Sequence, residues 1–575
     1  MSDKGEIRDG MRVEWDVGIS MDDGIELRAD IFRPPDEGAH PVILTYGPYA
    51  KGLAFQEGYP DQWTIMVREH PDVARGSSNA YQNWEVVDPE KWVPDGYVCV
   101  RIDSRGAGRS PGFIDPFSPR ETRDLYDCIE WAGTQTWSNG KVGLLGISYY
   151  AINQWHVASL NPPHLAAMCP WEGAADWYRD MTHHGGILCT FWANWYDKQV
   201  MVVQHGLGTK GPSSPITGEL AAGPETLPDD ELAKARTDFG DVIFDHPLDD
   251  DYHRGRSPDW SNITVPLLSS ANWGGQGLHA RGNFEGFVRA ASKQKWLEVH
   301  GLEHWTEFYT DYGVTLQMRF FGHFLKGEAN GWEDQPPVQL QVRTTKGLVE
   351  RAESEWPLER TRWTRMYLDP ASSSLSSDPV PPSEVSYEAL GDGVTFSTSP
   401  QDSDVEITGP IAAKLFVSSS TADADLFLVV RVFSPTDEEV VFQGALDPHT
   451  PIAQGWLRAS HRKLDPGLST EYRPYHAHDD RRPLNPGEIY ECDVEIWPTS
   501  IVVPAGYRIA LTVRGKDYEY PGEGARLASF KNEMKGCGPF LHDDPRDRPA
   551  ETFGGTVTLH AGEHHPSFLL LPVIP

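Results

Sequence analysis

The stretch Lys141-Val-Gly-Leu-Leu-Gly-Ile-Ser-Tyr-Tyr150 constrains this chain more than any other. Val142, Leu144, Leu145 and Ile147 make the near-continuous apolar run of a parallel strand covered on both faces, and the run stops at Ser148. A helix over 150–160 follows, closed by Asn161-Pro162-Pro163, because proline lacks an amide hydrogen and disfavours helix in the residue before it. Strand, sharp turn and helix make a nucleophile elbow. Such a turn lifts the serine hydroxyl out of the sheet top and aims the next amide, that of Tyr149, at a developing oxyanion. Gly146 supplies the small residue needed two before the serine, whereas Tyr150 stands where a second glycine is usual. The same residues also fit a plain buried strand followed by a serine helix cap.

The flanking chain supports an α/β sheet. Residues 12–34 alternate apolar and polar around Asp23-Gly24, the pattern of two antiparallel strands joined by a tight turn. His40–Tyr46 and Gly96–Asp103 are further buried strands, and the loop Gly47-Pro-Tyr-Ala-Lys-Gly52 after the first lies where oxyanion donors sit. Ser118 and Glu121 form a capping box for a helix over 118–134. Alternation of strand and helix then argues for a doubly wound sheet leading to Ser148. Residues 104–110 are glycine-rich but lack both a Lys-Ser/Thr signature and G-x-G-x-x-G, so they are no phosphate loop.

At 575 residues the chain exceeds one core, and two to four domains are expected. A net charge of -34 argues against nucleic acid or an anionic membrane as partner. Six cysteines without C-x-x-C spacing suggest buried thiols in a reducing compartment, not a disulfide frame or zinc site. The first residues hold no apolar signal core and no run approaches 18 apolar residues, so the expected location is the cytoplasm.

MDDGIELRADIFRP, TYGPYAKG, GYVCVRIDSRGAGRSPG, GKVGLLGISYYAINQW and AADWYRD together resemble the family of serine hydrolases containing bacterial cocaine esterase, alpha-amino-acid ester hydrolases and Xaa-Pro dipeptidyl-peptidases. ITGPIAAKLFVSSSTADADLFL, GWLRAS, LNPGEIYECDVEIWPTS and VPAGYRIALTV extend the resemblance over most of the chain. It implies an α/β-hydrolase core (1–173 and 258–350), a helical cap inserted after the sixth strand (174–257) and a C-terminal all-β jelly-roll domain (351–575). The family's serine is followed by tyrosine, so Tyr150 no longer counts against Ser148. Alternating strands with Pro/Gly/Ser/Asp turns beyond 350 independently read as an all-β sandwich. Within the cap, Trp177, Phe191, Trp192 and Trp195, with the nearby Trp171, either line an apolar acyl pocket or form cap core.

Strands at 264–270 and 295–300 resume the core, and His304 lies in the loop after the second. This fold delivers its general base there, and His304 matches the family's base position. His300 within a strand and His279 within a helix read as structural. No other histidine pair has metal-ligand spacing, so neither metal nor cofactor is expected. The family's acid is absent: the turn after the seventh strand reads Asn272-Trp-Gly-Gly275, with Gly275 at the acid's place. Glu172, at the end of the strand after the nucleophile helix, is the chosen substitute, over Asp249, Asp251, Asp259 and Glu303.

The expected function is hydrolysis of an ester, less readily an amide, of a small organic acid. Ser148 attacks, His304 moves the proton, and the Tyr149 amide and Tyr49 phenol hold the oxyanion, with Tyr46 the less favoured phenol. Xaa-Pro peptidase or acyltransferase activity on the same machinery is the alternative among enzymes. A catalytically dead carbohydrate- or ligand-binding protein is the alternative of another class. A homo-oligomer is compatible with the sequence.

Overall fold

A computed structural model describes residues 5–575. Its N-terminal half is built on a short edge strand, Glu6–Arg8, paired with the first of ten longer ones: β1 Met11–Ser20, β2 Glu26–Arg33, β3 His40–Gly47, β4 Val98–Asp103, β5 Ser138–Ile147, β6 Leu165–Trp171, β7 Leu267–Asn272, β8 Lys295–His300, β9 Val338–Thr344 and β10 Gly347–Glu353. Pairing gives the order β1-β2-β4-β3-β5-β6-β7-β8-β9-β10, parallel from β4 to β9 and antiparallel at both ends. This is an α/β-hydrolase sheet. Val142, Leu144, Leu145 and Ile147 of β5 are buried. At about 1.5–3 kcal/mol per apolar side chain, their burial fixes β5 at the centre of the sheet.

Helices cover both faces, among them α1 Pro119–Gly133, α2 Tyr149–Ala158, α3 Ala280–Arg289 and α4 Asp311–Phe321. Ser118 caps α1 by accepting from the Glu121 amide. The reciprocal arm of the capping box is redirected: the Glu121 carboxylate accepts from the Phe117 amide and the Tyr149 hydroxyl. Between β6 and β7 the chain forms short helical turns, such as Trp177–Thr182, Phe191–Trp195 and Phe239–Asp245, and the small strand pair His183–His184 with Ile187–Leu188.

The C-terminal part is all β apart from short turns of helix. Its long strand Val405–Ser419 pairs with Tyr490–Val503 on one side and with Phe568–Ile574 and Thr556–Ala561 on the other. Asp425–Phe433 pairs with Ala453–Arg458 and Arg508–Arg514. Both groups of strands bury one core that includes Ile407, Leu415, Leu428, Val430, Ile496, Leu511 and Leu569. Buried Arg343 of β9 ties the two parts together, donating to the carbonyls of Ser500 and Ile452. No helix among the described residues is long and apolar enough to cross a membrane.

Candidate active site

The carboxyl ends of β5, β6, β7 and β8 meet in register. Ile147 faces Trp171, Ser270 faces Trp171, and Asn272 faces His300. The residues just beyond these ends form the site. Ser148 takes φ 56° and ψ -113° between β5 and α2, held by its amide donating to the Trp171 carbonyl at 3.2 Å. Side chains avoid that conformation at a cost of about 1–3 kcal/mol, so the surrounding packing imposes it. A Cβ on Gly146 would lie 2.4 Å from Tyr150 Cβ, and one on Gly47 would lie 2.6 Å from the Tyr150 ring. These two glycines make the room that Tyr150 fills, so the elbow needs no second glycine after the serine.

Ser148 Oγ lies 3.0 Å from Nε2 of His279, which sits immediately before α3. This corrects the assignment of His279 to structure and of the serine-facing imidazole to His304. His304 does occupy the loop after β8, but its Nε2 is committed to Glu85 Oε1 at 2.9 Å. Its ring stands 5.6 Å from that of His279, between Trp84 and Trp305. Burial, reinforced by neighbouring His304, holds His279 well below the usual histidine range, so its imidazole is neutral. With its proton on Nδ1, Nε2 accepts the Ser148 hydroxyl hydrogen.

Glu172 lies where β6 ends, its amide donating to the Ser270 carbonyl at 2.7 Å and its φ at 51°. Oε2 faces His279 Nδ1 at 3.9 Å, and Oε1 accepts from His300 Nε2 at 3.0 Å and from Asn272 Nδ2 at 3.2 Å. Burial pushes the Glu172 carboxyl up while those two donors pull it down. His300 also donates from Nδ1 to Glu298 at 2.9 Å. Burial opposes its charge, but the Glu298 and Glu172 carboxylates override it and raise the imidazole to about 10. His300 is thus an imidazolium strut behind Glu172. At Gly275 a Cβ would press on the Asn272 carbonyl at 3.1 Å and the Ala280 amide at 3.2 Å, a turn too tight for an acidic side chain without rearrangement. The other candidate acids are engaged elsewhere. Asp249 pairs with Arg179, Asp251 is exposed, Asp259 caps the turn at Trp260, and Glu303 accepts from Thr306.

Glu85 had no signal in the sequence. It stands at φ 62° against the elbow, its carbonyl accepting from the Ile147 amide at 3.1 Å. Burial drives its carboxyl up to about 7 against the pull of His304. The sequence signal for His279 is weak: it follows the β7 turn, one of the loops that border the site.

Tyr149 begins α2, so its amide has no intrahelical acceptor by position. The Tyr49 ring packs edge-on to Tyr149 and Tyr150, and its oxygen accepts from Trp195 Nε1 at 3.0 Å, leaving the hydroxyl hydrogen free to donate. Tyr46 belongs to a different core cluster, with Leu125 and Ile129. Trp195 stacks on Tyr149. Trp177 and Trp192 pack with Phe117 and Phe239, Phe191 with Phe530 and Phe540, and Trp171 stacks on His300. A cavity of about 130 Å³ opens beside Tyr49, bounded by Leu53, Tyr59, Gln199 and Val203.

Residues 23–306 match the family model of X-Pro dipeptidyl-peptidase (S15 family), and 330–570 match that of the X-Pro dipeptidyl-peptidase C-terminal non-catalytic domain. A crystal structure of a CocE/NonD family hydrolase from Staphylococcus aureus is 32% identical, covering 98% of this chain and 94% of that one with a TM-score of 0.83. The chain belongs to the CocE/NonD family of hydrolases. A cocaine esterase from Rhodococcus sp. (strain MB1 Bresler) is 24% identical over 656 residues, covering 98% of each chain. An alpha-amino acid ester hydrolase, 16% identical over 98% of this chain and 97% of that one with a TM-score of 0.64, shares the fold. In this CocE/NonD hydrolase Gly275 stands where the resemblance implies the triad acid.

Proposed function

We propose that the protein hydrolyses carboxylic esters of small organic acids through an acyl-enzyme on Ser148. The observation that carries this is the 3.0 Å contact between Ser148 Oγ and the neutral His279 imidazole, on a backbone strained to present the hydroxyl. Ser148 attacks the acyl carbon as its proton passes to His279 Nε2. The imidazolium formed is stabilised by Glu172 and returns the proton to the leaving alcohol, and water then repeats the cycle on the acyl-enzyme. The Tyr149 amide and the Tyr49 hydroxyl are assigned to the oxyanion, each such donor being worth about 2.7–4 kcal/mol in the transition state. Trp195 and the cavity at Tyr49 are assigned to the acyl group, with Trp192 and Phe117 behind them.

The reading of a dead binding protein rested on the absent acid, and Glu172 provides a carboxyl in its stead. The segment between β6 and β7 is read as the helical cap, and the C-terminal part as a jelly roll. The boundaries are taken at 173, 257 and 350. Six buried, unpaired cysteines support a reducing, cytoplasmic setting. The test is fluorophosphonate labelling with a substrate panel. Wild type should label once and turn over aryl and acyl esters faster than Gly-Pro and Ala-Pro amides. Ser148→Ala should lose both labelling and turnover with its melting temperature kept. Persistent labelling of that variant would remove Ser148 from the role, and faster amide cleavage would favour the peptidase.

A further inference from the structure

Buried polar atoms around the site without a hydrogen-bond partner among the described residues include Glu85 Oε2 and, nearest the serine, Glu172 Oε2, His279 Nδ1 and His304 Nδ1. The last three residues belong to one cluster. A ring nitrogen of each histidine and an oxygen of Glu172 lie within 4.8 Å of one another. Buried polar atoms are normally satisfied, so three orphans in one place call for a shared partner.

We propose that Glu172, His279 and His304 form a binding site for a divalent transition-metal ion of the zinc class, whose occupancy switches the serine off. Two imidazole nitrogens and one carboxylate oxygen are a zinc donor set that leaves a fourth position open. Bonds of about 2.0–2.2 Å place neighbouring tetrahedral ligands about 3.4 Å apart, so side-chain movement of about half an ångström closes the Glu172–His279 gap. The groups behind the ligands are also in place. Metal-bound histidines donate their other ring N–H to a carboxylate or another acceptor, and ligating carboxylates are themselves hydrogen-bonded. His304 Nε2 lies 2.9 Å from Glu85 Oε1, His279 Nε2 lies 3.0 Å from Ser148 Oγ, and Glu172 Oε1 takes bonds from His300 and Asn272. Three carboxyl groups stand against one imidazolium, His300, which leaves room for a further cation. Glu85, Glu172 and Glu298 are buried together, and among the described residues their charged partners are histidines, never lysine or arginine.

The ligands come from three separate loops, which is why no sequence spacing announced them. The cluster His184, Cys189 and His542 differs, because His184 and His542 bond each other directly at 2.8 Å. Metal on Nδ1 of His279 leaves that ring's proton on Nε2, pointed at Ser148 Oγ. The ring then cannot take the serine proton, so metal binding and nucleophile activation exclude each other.

The switching half rests on the function proposed above, while the binding half does not, and the test separates them. Full-length wild-type protein, stripped with chelator, is titrated with Co²⁺ and then Zn²⁺. One Co²⁺ should bind with visible d–d absorption and be displaced by Zn²⁺. His304→Gln should weaken binding about tenfold or more, whereas Cys189→Ala should leave it unchanged. Should His304→Gln fail to fold, Glu172→Gln makes the same test. Absent Co²⁺ binding, or binding that these ligand changes leave intact, overturns the site. In wild-type protein, Zn²⁺ should abolish fluorophosphonate labelling and chelator should restore it. Labelling that survives saturating Zn²⁺ overturns the switch, and a metal-free wild type that never labels overturns the serine mechanism alone.

Discussion

Around Ser148, four residues with side chains occupy the left-handed backbone region: Ala50 at φ 64°, Glu85 at 62°, Ser148 at 56° and Glu172 at 51°. Each costs about 1–3 kcal/mol, and strain of that kind persists only where the surrounding structure enforces it. Two of the four carry the carboxyls that face the histidines, so the strain goes with the chemistry. His279→Ala should lower kcat/KM by about 10⁴-fold, as removal of a triad member does, and His304→Ala should remain at least about a hundredfold more active than it. The reverse order would return the proton-transfer role to His304. Glu172→Gln keeps the shape and loses the charge, so it should cut kcat and leave KM nearly unchanged. The places of Ser148 and Glu172 were legible because each follows an apolar strand run. His279 was not, because its role depends on how the β7 turn folds back over the elbow. Glu85 was not, because it lies in a loop without periodicity, 62 residues before Ile147, whose amide donates to its carbonyl.

Among the elements, the loop carrying Tyr49 is held from behind by Lys51. Its ammonium lies 2.9 Å from Asp30 and 3.2 Å from Asp16, while its amide donates to Asp103 at 2.6 Å. Asp16 sits at φ 55° within a register shift of β1 against β2, which aims it at Lys51, Arg28 and Arg109. Burial opposes its charge, but bonds from Arg28 and Arg109 and the nearby Lys51 hold its carboxyl well below the ordinary 3.8. A depressed folded pKa gives stability that is present above the unfolded value and lost as pH falls through the folded one. The melting temperature should therefore fall on acidification below about pH 4, and Asp16→Asn should show a shallower fall, measured by thermal melts across pH. An equal slope in both proteins would remove Asp16 from the acid response. The hairpin β1–β2 and the strands β3 and β4 follow from alternation and apolar runs. The bulge at Asp16 does not, since Val13, Trp15, Val17 and Ile19 alternate without a break through it. The arm of the capping box at Glu121 was lost for a similar reason: its competitor, the Tyr149 hydroxyl, is remote in sequence and near only after folding.

For the whole molecule, the C-terminal part is read as a structural component of the active site. The Ala445 amide donates to the Gly274 carbonyl at 3.0 Å, and the Ala445 carbonyl accepts from the His304 amide at 3.0 Å. One residue of the β domain thereby joins the loop leading to His279 and the loop bearing His304. Arg281, two residues beyond His279, adds a second link through Asp180 and Glu495, each at under 3 Å. The sequence distinguished the two parts through their change of periodicity, but the contact between them involves isolated loop residues that leave no periodic trace. Gly274 shows how close the approach is, since a Cβ there would stand 2.2 Å from Gly444 Cα and 2.9 Å from the Ala445 amide nitrogen. Both obstacles are backbone, so Gly274→Ala can be accommodated only by moving the Gly444–Ala445 turn. That movement breaks the Ala445 bonds and frees both histidine loops. The core sheet and the β-domain core lie away from this turn, so most of the folding energy survives. Gly274→Ala should lower kcat by about tenfold or more through misplaced catalytic groups, with a melting temperature only a few degrees lower. Ala445→Gly, which removes one methyl and no hydrogen bond, should stay near wild type. Full activity in Gly274→Ala would show that the β domain does not set the geometry of the site.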